Sequence, residues 1–254
     1  MDASEKLVTI AENEQRVYDA GYEAGKQAGG GGNTDEAFEN GKKEMWEGIT
    51  NHGTRVSYAN GFQYTDLDYF YPYTDLQPTN AGYMFAQTRN NGTIDFVERF
   101  EQFGTTLDFS KAASMARTFY VSGVTRLGVI DCRSATALDY LVCSSLYLHT
   151  IEKMIVHSGN TYKSSFDACS ALEEIRFSND SVIGNNIDFS DCTKLSHDSL
   201  FSNTEYEDGI KIGIINALEQ KTSGAFTCQI GENNMAKLTD PEKAIATQKG
   251  WTLL

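Results

Sequence analysis

The strongest constraint on this chain is that it resembles itself. One frame recurs: an aromatic residue, a small residue three positions later, then two apolar residues three apart. It appears as Phe119, Ser122, Leu127 and Ile130, as Tyr140, Cys143, Leu148 and Ile151, and as Phe166, Cys169, Leu172 and Ile175. A degenerate earlier copy is Phe85, Thr88, Thr93 and Phe96. A second frame, apolar–Asp–apolar, recurs as Leu107-Asp108-Phe109, Ile130-Asp131-Cys132 and Ile187-Asp188-Phe189. Units of this size bury their apolar positions only against their neighbours, so several copies and two caps are required.

A unit of ~20–29 residues made of turn, short strand and irregular return has the leucine-rich-repeat period. The expected class is therefore an α/β repeat, an irregular leucine-rich-repeat solenoid with an N-terminal helix and helical and strand caps. Residues 81–200 would be the solenoid, 34–80 an N-terminal cap and 201–254 a C-terminal cap. Residues 1–28 form a segment of their own. Leu7, Ile10, Val17 and Ala24 lie along a narrow apolar stripe, and Ser4 is placed to cap it. Such a helix buries little alone, which makes it either an anchoring or oligomerising element or a solvated N-terminal arm. Gly29-Gly30-Gly31-Gly32 sets a flexible joint over 29–33. Phe38, Met45, Trp46 and Ile49 then share a face of a second helix. Near the C-terminus Ile210, Ile214, Ile215 and Leu218 suggest a helix, and Phe226, Cys228 and Ile230 alternate as a strand. Asp240-Pro241-Glu242 reads as a helix start with Asp240 as N-cap. Gly250 reads as its stop, with a final strand at Trp251 to Leu254.

Chemistry is harder to find. The five cysteines include no CxxC pair, and all fit packing positions. The four histidines offer no HExxH, HxH or HxxxH spacing, so no metal site is expected. There is no GxSxG elbow, Walker loop, dinucleotide-binding turn or EF-hand, and no cofactor is expected. Acidic pairs such as Asp66 with Asp68, or Glu173 with Glu174, have the composition of a glycosidase pair. In a chain with 35 acidic residues they read more simply as a solvated face. The net charge of −14 is spread along the chain and argues against nucleic acid or anionic membrane as a partner. The N-terminus lacks the basic and apolar regions of a signal peptide, and no run of ~20 apolar residues spans a bilayer. Synthesis in a reducing cytosol is expected. Tyr69, Phe70, Tyr71 and Tyr73 are candidate partner-binding aromatics, with packing beneath a cap as the alternative.

The repeats resemble irregular bacterial leucine-rich-repeat proteins of the surface-antigen type. The residues that carry this are Ser165-Phe166-Asp167-Ala168-Cys169-Ser170-Ala171-Leu172-Glu173-Glu174-Ile175, then Val182-Ile183-Gly184-Asn185-Asn186-Ile187-Asp188-Phe189-Ser190 and Cys192-Thr193-Lys194-Leu195. The arrangement is also similar to short repeat proteins encoded in phages and prophages. In those a helix like Leu7-Val8-Thr9-Ile10-Ala11-Glu12-Asn13-Glu14 and a Gly-rich joint precede the repeats, and Gly250-Trp251-Thr252 closes the chain. Phe201 to Gly209 departs from that pattern as an inserted acidic stretch.

The resemblance implies that this cytosol is a bacterial cytoplasm, and it implies binding and not catalysis. The expected function is that of a non-enzymatic binding or structural protein, a virion accessory such as a fibre, tail or decoration protein involved in host attachment. Its partners would be a protein or glycan on a host surface and other virion proteins reached through the N-terminal helix, with the chain as a homo-oligomer. The competing readings are a surface-glycan hydrolase with a loop-borne acidic pair and an intracellular adaptor.

Overall fold

The computed structural model describes residues 61–63, 67, 70–72, 75–88 and 94–254. The chain divides into two compact units, one of Met1–Arg55 with Tyr71–Thr74 and the other of Val56–Phe70 with Asp75–Leu254. The second unit is described below. The expected anchoring helix with Leu7, Ile10, Val17 and Ala24, the glycine joint and the helix bearing Phe38 all lie outside the described residues.

Among the described residues of the second unit the first strand is β1 (Ile94–Asp95), and α1 (Phe96–Phe103) follows it directly. Asp95 ends the strand and caps the helix, accepting the Val97 and Glu98 backbone N–H groups at 2.8 and 3.1 Å. Phe96 and Phe100, one helical turn apart, are buried, and Gly104 at φ 61° stops the helix in the left-handed region. The strands β2 (Val124–Asp131), β3 (Thr150–Ile155) and β4 (Glu174–Ser178) follow. They pair in parallel with β1 at their head. Leu127, Ile151 and Ile175 are in register across the three, each buried. A shift between Ile151 and Met154 against β4 marks a bulge, since β2 and β3 carry two residues between inward positions where β4 carries one.

The parallel ladder then ends. After α2 (His197–Leu200), β6 (Asn203–Tyr206) and β7 (Gly209–Ile212) form a hairpin, and β7 joins β4 antiparallel. The six-stranded mixed sheet has the order β1-β2-β3-β4-β7-β6. A separate three-stranded parallel sheet joins β5 (Ile187–Asp188), β8 (Phe226–Gln229) and β9 (Trp251–Leu253). Three short helices, α3 (Ile214–Ala217), α4 (Gly231–Met235) and α5 (Asp240–Gln248), complete the described part.

This corrects the expected fold class. The described residues form a mixed α/β fold with two sheets and few helices, not a leucine-rich-repeat solenoid with caps. The physical reason lies at β4. A repeat array needs one sheet that adds each new strand in the same direction, but here the hairpin Asn203–Ile212 occupies the next edge and runs antiparallel. The following strand, β5, is thereby consigned to a different sheet. Ile210, read as helical, lies on β7, and the apolar run after it yields only the single turn of α3.

The turns preceding the strands stack with equal regularity. Among the described residues eight non-glycine residues have left-handed φ, in four pairs spaced four apart: Tyr83 and Gln87, Arg117 and Val121, Tyr140 and Ser144, Ser164 and Ala168. Backbone bonds set the alignment. Tyr83 N–H donates to Ala116 O, Arg117 N–H to Asp139 O and Tyr140 N–H to Lys163 O, so Tyr83, Arg117, Tyr140 and Ser164 form one column. Gln87, Val121, Ser144 and Ala168 form the other.

The same ladder corrects one copy of the repeated frame. Phe85 N–H donates to Thr118 O, Phe119 N–H to Leu141 O and Val142 N–H to Ser165 O. The inward aromatic slot is therefore Phe85, Phe119, Val142 and Phe166, all buried, and Tyr140 sits two residues out of phase. The small slot becomes Thr88, Ser122, Ser145 and Cys169, with Cys192 after Phe189, and it does more than pack. Ser145 Oγ donates to Phe119 O at 2.6 Å, Cys169 Sγ to Val142 O at 3.1 Å and Cys192 Sγ to Phe166 O at 3.6 Å. Each side chain satisfies a carbonyl of the preceding rung.

At the C-terminal end Thr239 is the N-cap, one residue before the expected Asp240. Its N–H and Oγ donate to Glu242 Oε2 at 2.7 and 2.8 Å, and His197 Nε2 lies 2.9 Å from Glu242 Oε1. The Thr239 backbone and hydroxyl, with His197, hold the Glu242 carboxyl below its ordinary range. A depressed folded value contributes stability that is present above the unfolded pKa of about 4.3 and lost as pH falls through the folded value. The urea midpoint of the Glu242→Gln variant is therefore expected to fall less steeply than that of the parent between about pH 5 and 3. Identical slopes for the two proteins would refute this role of Glu242.

Candidate interaction surface

The stacked turns place one column of side chains outward, and that column is chemically coherent. The Arg117 guanidinium lies between two tyrosines, 5.2 Å from the Tyr83 ring centroid and 4.5 Å from that of Tyr140. Its Nη1 donates to Tyr83 Oη at 2.7 Å. Lys163 Nζ lies 5.9 Å from the Tyr140 centroid, and Tyr120 meets Tyr140 edge-on at 6.4 Å. Planar cations over aromatic faces hold one another in place by electrostatics and shared area. The result is a preset ridge of rings and cations, Tyr83–Arg117–Tyr140–Lys163, on a strongly acidic chain.

Beside the ridge lies exposed apolar surface. Val121, Leu146 and Tyr147 are 40%, 55% and 47% exposed. The backbone brings them together: Val121 N–H donates to Cys143 O, Ser122 N–H to Ser145 Oγ, and Leu146 N–H to Ser144 O. Val121 is β-branched and has φ 53°, where its Cβ crowds the backbone. The turn stack holds it there, with its side chain toward water.

The candidates named from sequence are placed differently. Phe70 is 1% exposed and sits among rings, 5.2 Å from Phe62, 5.5 Å from Phe85, 5.5 Å from Phe96 and 5.8 Å from Phe100. A ring enclosed on that scale has no face for a partner, and its role is packing. Tyr71 is half-buried in the other compact unit, and Tyr69 and Tyr73 lie outside the described residues. Sequence reasoning missed Tyr83, Arg117 and Lys163 altogether. The signal was present: once Val142 takes the inward slot, Tyr140 falls in line with Arg117 and Tyr83.

The titratable groups are committed locally. Asp108, Asp131 and Asp188 each accept the backbone N–H two residues on, from Ser110, Arg133 and Ser190, at 2.8, 3.1 and 2.8 Å. These acids close local turns, and Asp131 is itself buried. For Asp108 burial pushes the carboxyl up, but the Ser110 backbone and hydroxyl, Gln77 and Lys111 outweigh it and hold it below the ordinary range. Glu174 pairs with Arg176 at 2.8 Å, whereas Glu173 turns to His149 and Lys194 at 3.8 and 4.0 Å. All five cysteines are buried. Burial pushes the Cys169 and Cys228 thiols up to about 12 and those of Cys132 and Cys192 upward as well, which suppresses the thiolate a nucleophile or metal ligand requires. Among the described residues no three His, Cys, Asp or Glu side chains gather to hold a metal ion, and no helix is long and apolar enough to cross a membrane. No protein-family model, curated protein or solved structure matches the chain.

Proposed function

We propose that this chain is a non-enzymatic binding protein that uses the Tyr83–Arg117–Tyr140 ridge and the adjoining Val121, Leu146 and Tyr147 surface to hold a partner. The observation that carries the reading is the exposure of those three large apolar side chains on adjoining turns, in the same turn stack as the rings fixed in advance by Arg117. Exposed apolar clusters with a polar rim are where soluble chains make contacts, and tyrosine and arginine dominate the energetics of such contacts. The partner is a protein or glycan on a bacterial surface, since aromatic faces suit sugar rings and protein side chains alike. The setting proposed is a virion, with the chain as an accessory fibre, tail or decoration protein; sequence resemblance alone supports that part.

Val121 provides the test, because its conformation and its exposure pull in opposite directions. Asn tolerates left-handed φ where a β-branched residue does not, so Val121→Asn is expected to raise stability by about 0.5–1 kcal/mol. The same change removes apolar contact surface. Retention of the purified chain on intact cells of the strain that carries the gene is expected to fall about tenfold in Val121→Asn and further in Val121→Asn/Leu146→Asp. A more stable variant that binds as the parent does would remove the Val121, Leu146 and Tyr147 surface from this role. Release of reducing sugar ends by the parent chain would support the hydrolase reading instead.

A further inference from the structure

The outer edge of the six-stranded sheet is a second place where the chain is built to meet another. β6 is the last strand in the sheet order, and among the described residues no strand pairs with its outer side. Its register with β7 is Asn203↔Ile212, Thr204↔Lys211, Glu205↔Ile210 and Tyr206↔Gly209. Gly213 N–H donates to Ser202 O at 2.8 Å. Bonded pairs alternate along an antiparallel ladder, so residues 202, 204 and 206 turn their main-chain groups toward β7. Asn203 and Glu205 therefore turn theirs to the open edge, two donors and two acceptors in extended spacing.

Open strand edges are normally blunted by lysine, proline, a bulge or a covering loop, because they template the addition of another strand. Among the described residues this edge carries no lysine, proline, bulge or covering loop. It is acidic instead: Glu205 and Glu207 are exposed and form no ion pair among the described residues. Asp208 is different, since it is held by Lys153 at 2.9 Å and Lys211 at 3.3 Å and serves to pin the hairpin tip. Lys211 Nζ also lies 4.4 Å from the Tyr206 ring centroid, which fixes that ring against its own hairpin. The hairpin is thus braced from within by cations while its outer rim presents carboxylates.

We propose that β6 accepts an extended basic segment of another protein by strand addition, with lysine or arginine opposite Glu205 and Glu207. Main-chain bonds at Asn203 and Glu205 supply the pairing, and the rim carboxylates select the charge. A second copy of this chain does not fit the rim. Antiparallel β6–β6 pairing brings the Glu205 and Glu207 side chains of two copies together, between molecules that each carry −14.

The test uses the full chain and a labelled synthetic peptide of about eight residues alternating lysine and valine, with a glutamate–valine peptide as its counterpart. Fluorescence anisotropy is expected to show the basic peptide binding at least about tenfold more tightly than the acidic one. Glu205→Gln removes charge alone, and Glu205→Pro also removes an outward N–H while leaving the bonds to β7 in place. Glu205→Pro is expected to weaken binding at least about tenfold beyond Glu205→Gln, with the far-ultraviolet spectrum and melting temperature of both variants unchanged. Equal binding by the two variants, or no binding of the basic peptide to the parent, overturns the proposal. So does a parent dimer that Glu205→Pro converts to monomer, since the occupant would then be a second copy. Should Glu205→Pro unfold, Asn203→Pro removes the other outward N–H and serves as the second probe. Neither variant touches Val121 or the Tyr83–Arg117–Tyr140 ridge, so failure here leaves that reading standing.

Discussion

Phe85→Ala is expected to lower the free energy of unfolding by about 3–5 kcal/mol, the range for deleting a buried aromatic ring from a close-packed core. Phe85 is fully buried, with ring centroids at 5.1 Å from Phe62, 5.5 Å from Phe70, 4.9 Å from Phe96 and 5.5 Å from Phe119. The contacts are mixed in geometry, stacked against Phe62 and Phe119 and edge-on against Phe70 and Phe96. Each such pair adds about 0.5–1.5 kcal/mol beyond the area it buries. The neighbours cannot collapse into the gap together, because Phe96 is fixed by α1 and Phe119 by its own N–H bond to Leu141 O. The effect reaches function as well, since Tyr83 and Gln87 flank Phe85 on the same turn. Urea denaturation at constant m-value is the measurement, and Phe85→Leu is expected to cost less than half as much. A loss under about 1 kcal/mol would mean that this ring cluster does not form.

How far the sequence could have led to this picture depends on what each residue type discriminates. Burial was legible where chemistry leaves one option: Phe119, Leu127, Ile130, Phe166, Leu172 and Ile175 were placed in a repeated frame, and all are buried. Tyr140 was placed with them and is outward. Tyr140 stands two positions before the residue that is buried, so it and Val142 compete for one slot. Tyrosine, with an apolar ring and a polar tip, suits either side. That ambiguity hid the ridge, because the alignment of Tyr83, Arg117 and Tyr140 exists only in the correct phase. The fold class failed at a different point. Asn203–Ile212 has no apolar alternation strong enough to announce a hairpin, and its direction against β4 is set by tertiary pairing that no local pattern encodes. Asp108, Asp131 and Asp188 were legible as a motif but not as turn closures, because their bonds run to backbone N–H groups that every residue possesses.

Gly184→Ala should be almost as damaging as the loss of Phe85, though no side chain is deleted. A Cβ at position 184 would lie 2.1 Å from Ser158 O, 2.6 Å from Ser158 Cα and 2.7 Å from Ser158 C. These are backbone atoms, so no rotamer change relieves the clash, and one of the two chain segments has to move. Neither moves easily. Val182 N–H donates to Val156 O at 3.0 Å, Ile183 N–H donates to Ala217 O at 2.8 Å, and Asn185 Nδ2 donates to Ser158 O at 3.1 Å and Asn160 O at 2.8 Å. Asn160 is in turn fully buried, with its own side-chain amide bonded to Ala135 O at 2.7 Å. Overpacking of this kind costs about 3 kcal/mol where the surroundings cannot yield, as two hydrogen bonds stretch together with the clash. Gly128 is the control within the same sheet system. There a Cβ would meet Val97 Cγ2 at 3.4 Å, an ordinary contact with the end of a side chain. Gly128→Ala is expected to be neutral or to stabilise by about 0.5 kcal/mol through the unfolded chain. Hydrogen exchange separates the two cases: in Gly184→Ala the Val182 and Ile183 amides are expected to lose protection before those of β2, whereas in Gly128→Ala both sets keep it. Unchanged protection at Val182 and Ile183 in Gly184→Ala would show that the two segments are not in contact.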